Sequence, residues 1–206
     1  MTKIHSSMPH LNGNVVAAVD FETTGTVAGY HEPIQIAVVV LDSNLKPAPG
    51  ITPFYQYIQP RFPERADPAA TKVHGIDIDR LMLEEREPGD IEDMLVEWCN
   101  SLELPFERRL IPLAHNWPFE RDFLKAWLGV SLSEKLFHYH ARDGMTYALG
   151  LNDKSFFRGE KAIFRSVGLT ELCSHFGVVN ARAHDALNDA LAEAEVYRHL
   201  LNVDVL

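Results

Sequence analysis

Two short apolar segments near the start of the chain constrain its fold most. Val15–Val19 ends at Asp20, and Ile34–Leu41 contains the longest uninterrupted apolar run, from residue 36 to residue 41. Both segments are far too short to cross a membrane, and an apolar run without polar alternation is typical of a strand that is buried on both faces. Such strands require helices on the faces of their sheet, so the sequence predicts an α/β fold.

Turn residues and apolar spacing predict the remaining elements. Further strands are expected at Phe54–Ile58, Leu110–Ala114 and Leu136–Tyr139. Helices are expected after Asp90, from Trp117, at Gly168–Phe176 and at Ala183–Leu201, and residues 150–164 are expected to form an exposed loop. At 206 residues the chain can bury a sizeable core. We expect a flexible tail at residues 1–14 and one domain at residues 15–206.

Charge and cysteine usage limit the function classes. The net charge of −10 disfavours a protein that coats long nucleic acids, because such proteins usually carry a basic excess. An enzyme that holds only a few terminal nucleotides is compatible with this charge, since bound metal ions supply positive charge locally. Cys99 and Cys173 show no metal-ligand spacing and no disulfide framework. Residues 1–14 lack the apolar segment of a secretory signal, so we expect a cytoplasmic location and no membrane attachment.

Two acidic residues, Asp20 and Glu22, end the first predicted strand. Side chains two positions apart on a strand project to the same face, so both carboxylates can converge on one point. Carboxylates this close repel each other unless a cation lies between them, and hard divalent ions prefer oxygen ligands. The alternative is a pair of solvated acids, and only further motifs decide between the two interpretations.

Three acidic motifs occur in order, at Asp20–Gly25, His115–Glu120 and His184–Asp189. Together with the turn His74-Gly75-Ile76, they resemble the motifs of the DEDDh family of 3′–5′ exonucleases, which includes the proofreading subunit of bacterial replicative DNA polymerases and ribonuclease T. The resemblance covers roughly residues 15–201. It implies a ribonuclease H-like fold, in which a mixed central sheet is flanked by helices.

The resemblance also implies a reaction. The domain would hydrolyse phosphodiester bonds from the 3′ end of a single nucleic-acid strand, with DNA favoured, and would release nucleoside monophosphates. Two Mg²⁺ or Mn²⁺ ions would clamp the scissile phosphate. The catalytic and metal-binding carboxylates would be those of Asp20, Glu22, Glu120 and Asp189, and His184 would deprotonate the attacking water. The substrate-binding residues would be Thr23, Thr24, His74 and Asn116.

Two positions depart from the family pattern. Glu120 stands where the family has Asp, which keeps the charge and adds one methylene, and Gln35 stands where Glu is frequent, which we interpret as a structural substitution. Helical spacing predicts that Asn116 and Glu120 project from one face. Asp122 is roughly 200° further around the helix than Glu120 and is expected to face elsewhere.

The spacing of the third motif requires irregular backbone. On an ideal helix five residues rotate by roughly 500°, so His184 and Asp189 would not share a face. We therefore expect His184 to precede the helix or to lie in its first turn. Asp185 and Asp189, four residues apart, would form a rival acidic pair.

Other polar clusters rank lower. His138 and His140 alternate as strand neighbours do and could bind a metal, although two histidines near a sheet edge without a metal are the favoured interpretation. Arg108–Arg109 and the segment Arg61–Arg65 are candidates for phosphate contacts.

Three functions compete. The first is a DNA-directed exonuclease, free or associated with a polymerase partner, and the second is an exoribonuclease that trims RNA ends. The third is a non-catalytic nucleic-acid-binding or polymerase-associated scaffold, in which Glu120 marks a decayed site. The sequence does not separate DNA from RNA, because the metal chemistry acts on the phosphate and either sugar can be admitted. It also leaves the oligomeric state open.

Overall fold

A computed structural model of the chain describes residues 11–204. Within this range a single five-stranded sheet has the order β3-β2-β1-β4-β5. Its strands are β1 (Val15–Thr23), β2 (Pro33–Val40), β3 (Phe54–Tyr57), β4 (Leu110–Ala114) and β5 (Arg142–Asp143). The helices are α1 (Pro68–His74), α2 (Ile78–Glu84), α3 (Pro88–Ser101), α4 (Trp117–Leu136), α5 (Gly144–Phe157), α6 (Leu169–Phe176) and α7 (Ala186–Leu200).

The sheet is mixed, and helices cover both of its faces. Strand β1 pairs antiparallel with β2 and parallel with β4, while β3 and β5 form the edges. Alternate side chains of β1 enter different cores. Val15, Ala17 and Val19 pack with apolar residues of α3 and α4, whereas Val16 and Ala18 pack with the alanines of α7. Burial on both faces explains the uninterrupted apolar runs and confirms the expected α/β architecture.

Two expected elements are wrong. The strand expected at Leu136–Tyr139 is absent from the described sheet, because α4 continues to Leu136 and only Phe137 forms an isolated bridge, with Leu110. The loop expected at residues 150–164 is largely helix α5. Three of its four buried residues, Gly144, Ala148 and Ser155, are small or polar, so its apolar period is weak.

The described residues include the end of the expected tail. Residues 1–10 lie outside the described range, but Leu11 is buried and Asn14 is hydrogen-bonded. The Asn14 side chain donates to the Leu11 carbonyl and accepts the Arg109 amide proton, at 2.9 and 2.7 Å. These contacts tie residues 11–14 to the strand that follows Arg109. None of the helices within residues 11–204 has the length and the apolar composition needed to cross a membrane.

Candidate active site

The carboxylates of Asp20 and Glu22 lie near the end of β1, on the face of the sheet that α7 covers. Asp20 and Glu22 continue the face of β1 that carries Ala18, and Ala18 packs in the core that includes α7. A register shift between Glu22 and Thr23 ends the regular pairing with β2. Asp20 is partly buried and Glu22 is buried, so neither charge is freely solvated.

The third motif meets this pair from α7. Asp185 caps the helix through the Asn188 amide, so the regular helix starts at Ala186. His184 precedes the cap with a φ of 66°, in the left-handed region, and its backbone N–H donates to Asp189 Oδ2 at 2.9 Å. This irregular backbone confirms that His184 lies outside the helix.

The carboxylates and the imidazole form one cluster. Ligand atoms of Glu22, His184 and Asp189 lie within 4.8 Å of one another. Glu22 and Asp189 are buried, whereas the His184 side chain is exposed. Asp189 also accepts a hydrogen bond from the Asn180 side-chain amide. The cluster therefore has a buried acidic floor and an imidazole at its solvent side.

Glu120 supplies the fourth carboxylate from the first turn of α4. It is buried, a hydrogen bond from the Phe21 amide supports it, and its Oε2 is a buried atom without a hydrogen-bond partner within the described residues. Asp122 is exposed and pairs with Arg121 at 2.9 Å, which confirms that it faces elsewhere. The expected helical face shared by Asn116 and Glu120 is wrong, because Asn116 precedes α4 in a left-handed conformation with a φ of 82°.

The electrostatics of the cluster favour a cation. Burial, followed by the charges of Glu120, Asp189 and Glu22, raises the pKa of Asp20 well above its usual range. Burial and the nearby charges of Asp189 and Asp185 raise the pKa of Glu22 to about 8. Burial, together with Glu22 and Asp189, raises the pKa of Glu120, and burial raises that of Asp189. Crowded carboxylates hold protons unless a cation neutralises them, so this donor set fits hard divalent ions.

Four residues that the resemblance assigns to substrate lie in segments that adjoin the cluster residues: Thr23 and Thr24 follow Glu22, His74 lies near His184, and Asn116 precedes the helix that carries Glu120. Thr23 and Thr24 are buried, and their hydroxyls are used within the loop that follows β1. The Thr23 hydroxyl donates to the Gly25 carbonyl at 2.6 Å. His74 ends α1 beside the Thr23 carbonyl and close to His184, and burial lowers its pKa. Asn116 is partly exposed at the start of α4, and its side chain makes no cap hydrogen bond.

A buried polar network that the sequence did not reveal holds the third motif. Gln35 accepts the Ala186 amide proton and donates to the Tyr55 hydroxyl, both at 2.8 Å. The Tyr55 hydroxyl in turn donates to Asp185 Oδ2 at 2.8 Å. These contacts agree with a structural role for Gln35. Asp185 is engaged in this network and in the cap of α7, and the group of potential metal ligands contains Asp189 rather than Asp185.

A second buried network involves His115 and Glu193. His115 Nδ1 lies 2.9 Å from Glu193 Oε2, and its Nε2 lies 2.8 Å from the Val167 carbonyl. Burial alone would lower the pKa of His115, but the hydrogen bond and charge of Glu193 outweigh it and raise the pKa. Glu193 lies four residues after Asp189 on α7, and its charge contributes to raising the pKa of Asp20. Residues four apart share one face of a helix, so the spacing from Asp189 is the sequence feature that could have identified Glu193.

His138 and His140, which line a cavity with Trp117 and Pro118 at the start of α4, are not part of the acidic cluster. The rings of His138 and His140 are 5.0 Å apart, and the His140 amide donates to His138 Nδ1. Within residues 11–204, the group of three or more acidic, histidine or cysteine ligands that could hold an ion is Glu22, His184 and Asp189.

Glu22 makes the stability of the metal-free protein depend on pH. Because the folded-state pKa lies above the unfolded value, its contribution to stability is complete below about pH 4.5 and is lost as the pH rises to about 8. In EDTA, the melting temperature of the wild type should therefore fall relative to that of Glu22→Gln across this range. Mg²⁺ or Mn²⁺ at pH 8 should raise the wild-type melting temperature more than that of the variant. Thermal scans of both proteins measure this, and a pH-independent difference would contradict it.

The chain is similar to known nucleases. The RNase_T family of exonucleases matches residues 17–101. Over 184 residues the chain is 25% identical to the 3′–5′ DNA exonuclease Cap18 of Escherichia coli, and this span covers 89% of the chain and 90% of that protein.

Solved structures share the fold. Exonuclease I of E. coli in complex with a dT13 oligonucleotide has a TM-score of 0.68 and 17% identity, covering 92% of this chain and 41% of that chain. Exonuclease I of Methylocaldum szegediense has a TM-score of 0.70 and 21% identity, covering 91% and 40%. Cell-death related nuclease 4 has a TM-score of 0.66 and 20% identity, covering 92% and 64%. The chain thus spans about two fifths of the Exonuclease I chains, and the expected ribonuclease H-like fold is confirmed.

Proposed function

We infer that this chain is a member of the DEDDh group of 3′–5′ exonucleases and removes nucleoside monophosphates from the 3′ end of single-stranded DNA. The observation that carries this proposal is the convergence of four acidic side chains from β1, α4 and α7 beside the exposed imidazole of His184. DNA is preferred over RNA because the E. coli relative is a DNA exonuclease and Exonuclease I holds a DNA oligonucleotide. The intact acidic cluster argues against the scaffold alternative with a decayed site.

The carboxylates are suited to hold two divalent ions, Mg²⁺ or Mn²⁺. Asp20, Glu22 and Asp189 would hold one ion, and Asp20 with Glu120 would hold the other, directly or through water. Bound there, the ions would orient the scissile phosphate and stabilise the charge that develops on the leaving 3′ oxygen. The unpartnered Oε2 of Glu120 and the raised pKa of each carboxyl group support this assignment.

His184 is the candidate general base. Its ring is exposed at the edge of the acidic cluster, while its backbone N–H is tied to Asp189. This arrangement leaves the ring nitrogens able to take the proton of the attacking water as the bond to the phosphorus forms. Because the Asp189 contact uses the backbone, the acidic cluster does not depend on the imidazole.

The residues around the cluster would position the terminal nucleotide. His74 lies near His184, and the partly exposed Asn116 immediately precedes the helix that carries Glu120. The hydroxyls of Thr23 and Thr24 are buried, so these residues would contact the nucleotide mainly through the loop backbone. A polymerase partner and a cytoplasmic location stay predictions.

The metal dependence and the direction of strand digestion test the proposal. With Mg²⁺ or Mn²⁺, a 5′-labelled DNA single strand should shorten progressively from its 3′ end and release mononucleotides, because the ions and His184 act on the terminal phosphodiester. EDTA should stop the reaction. A matched RNA strand, digested in parallel, measures the sugar preference. Cutting of a circular single strand, or release of nucleotides from the 5′ end, would refute the proposed function.

A further inference from the structure

An exposed cluster of aromatic and cationic side chains lies beside the loop that follows β1. The Arg65 guanidinium lies 3.8 Å from the ring centroid of Phe62 and 5.2 Å from that of Tyr30. Tyr30 is 53% exposed, Phe62 is 40% exposed, and Arg61 is exposed beside them. We call Tyr30, Arg61, Phe62 and Arg65 the platform.

Hydrogen bonds of Glu32 connect the platform to the loop beside the candidate active site. The Glu32 carboxylate accepts the Phe62 amide proton at 2.8 Å. The Glu32 backbone exchanges hydrogen bonds with Thr24, in which its N–H donates to the Thr24 hydroxyl and its carbonyl accepts the Thr24 amide proton. The Thr24 carbonyl also accepts the amide proton of Asp67, two residues after Arg65. The platform is thus attached to a residue two positions from Glu22.

A close contact sets the position of Tyr30. His31 Nδ1 accepts the Val27 amide proton at 3.0 Å, and the His31 ring packs against Gly25. A Cβ on Gly25 would come within 2.5 Å of His31 Nε2, so only glycine allows this approach. The Tyr30 ring packs edge-on against His31 at 4.9 Å. The loop therefore holds Tyr30 in place rather than leaving it free at a loop tip.

The charge of the platform suits a polyanion. The chain carries a net charge of −10, yet neither Arg61 nor Arg65 forms an ion pair with any carboxylate in the described part of the chain. The guanidinium carbon of Arg65 lies over the Phe62 ring, a contact that involves the face of the ring and not the carboxylate of another residue, so the N–H groups of Arg65 can donate to a phosphate. Exposed aromatic rings and arginine planes stack unpaired bases without sequence preference.

We propose that the platform binds the nucleotides on the 5′ side of the scissile phosphodiester, with a base stacked on Tyr30 and a phosphate bound by Arg65 and Arg61. This inference rests on the proposed function, since it names the subsite for the part of the strand that is not being cut. Substrates that reach the platform should bind through it, and substrates that fill only the terminal subsite should not.

The test compares substrates of different length. The variant Tyr30→Ala/Arg65→Ala should raise KM for an eight-nucleotide DNA single strand by about tenfold to a hundredfold, the range for losing a stacked base and a phosphate contact. The p-nitrophenyl ester of thymidine 5′-monophosphate fills only the terminal subsite, so its KM and kcat should stay within about twofold. Binding of the 5′-labelled octamer in EDTA, followed by fluorescence anisotropy, should weaken by the same factor.

Two further variants separate the contributions. Arg65→Lys keeps the charge but loses the planar guanidinium, so it should retain the salt dependence of octamer binding. Arg65→Ala should reduce the slope of log affinity against log salt by about 0.7, as expected for one phosphate contact to a single strand. The matched control is Phe106→Ala/Lys135→Ala, which removes an exposed aromatic residue and an exposed cation that line one cavity at the C-terminal end of α4, away from Glu120. This control should leave octamer KM unchanged.

The outcomes distinguish this inference from the proposed function. If the wild type hydrolyses neither the octamer nor the ester, the proposed function fails, and octamer binding in EDTA still tests the platform. If the wild type is active and the platform variant keeps its octamer KM and affinity, the inference alone fails. Equal losses on the ester and the octamer would show a structural role, and a loss confined to the Phe106 and Lys135 control would place the strand near the C-terminal end of α4.

Discussion

Replacing Glu120 by Ala should abolish most of the exonuclease activity, with a loss in kcat of at least about a hundredfold. The Glu120 carboxylate is buried among the charges of Asp20, Glu22 and Asp189, so its loss would remove a ligand and a charge partner from the second ion. Asp122→Ala should be nearly silent, because that side chain is exposed and pairs with the exposed Arg121. Rates of both variants on a 5′-labelled single strand, with Mg²⁺ and with Mn²⁺, measure the difference.

The matched substitution Glu120→Asp tests whether the extra methylene of glutamate affects activity and metal preference. It restores the residue of the family motif, so it should keep activity and change the preference between Mg²⁺ and Mn²⁺. Circular dichroism should show that all three variants are folded. Activity that survives Glu120→Ala but not Asp122→Ala would contradict the position of the second motif on α4. Activity that survives both would mean that the site works with three carboxylates.

Replacing His184 by Ala should lower kcat by about 10²–10⁴-fold, the range for a positioned general base. His184→Asn should lose as much, and it is the matched control because asparagine tolerates the left-handed φ of 66° at this position. In both variants the backbone N–H can still donate to Asp189, so the acidic cluster should persist. Single-turnover rates at saturating substrate measure the chemical step.

Metal binding separates a base from a ligand at position 184. The increase in melting temperature with Mn²⁺ at pH 8 should be similar for the wild type and for His184→Asn. A variant with near-normal turnover would exclude His184 as the base. A variant that loses both turnover and the metal-induced shift would make His184 a ligand, which its place within 4.8 Å of Glu22 and Asp189 would then explain.

The strands could be predicted where both faces are buried, because such strands leave uninterrupted apolar runs in the sequence. This applies to β1, β2 and β4, whose residues are almost entirely buried. Helix α5 could not be predicted in the same way. Its cap is a single aspartate, Asp143, and its buried positions include Ala148 and Ser155, which carry little apolar signal.

Within the candidate site, the sequence by itself determined what depends on local geometry. The strand period puts Asp20 and Glu22 on one face, and the helix period puts Asp122 away from Glu120 and His184 outside α7. These relations involve residues within one element, where backbone geometry alone sets the direction of each side chain.

Only the tertiary structure decided the contacts between distant segments. Gln35 reaches the start of α7 across 151 positions, and His115 reaches Glu193 across 78, so no periodicity relates them. The left-handed backbone of Asn116 and the stacking of Arg65 on Phe62 likewise depend on neighbours that packing brings together. Side-chain contacts of this kind follow from how the elements dock, and docking is a property of the whole core rather than of any local pattern.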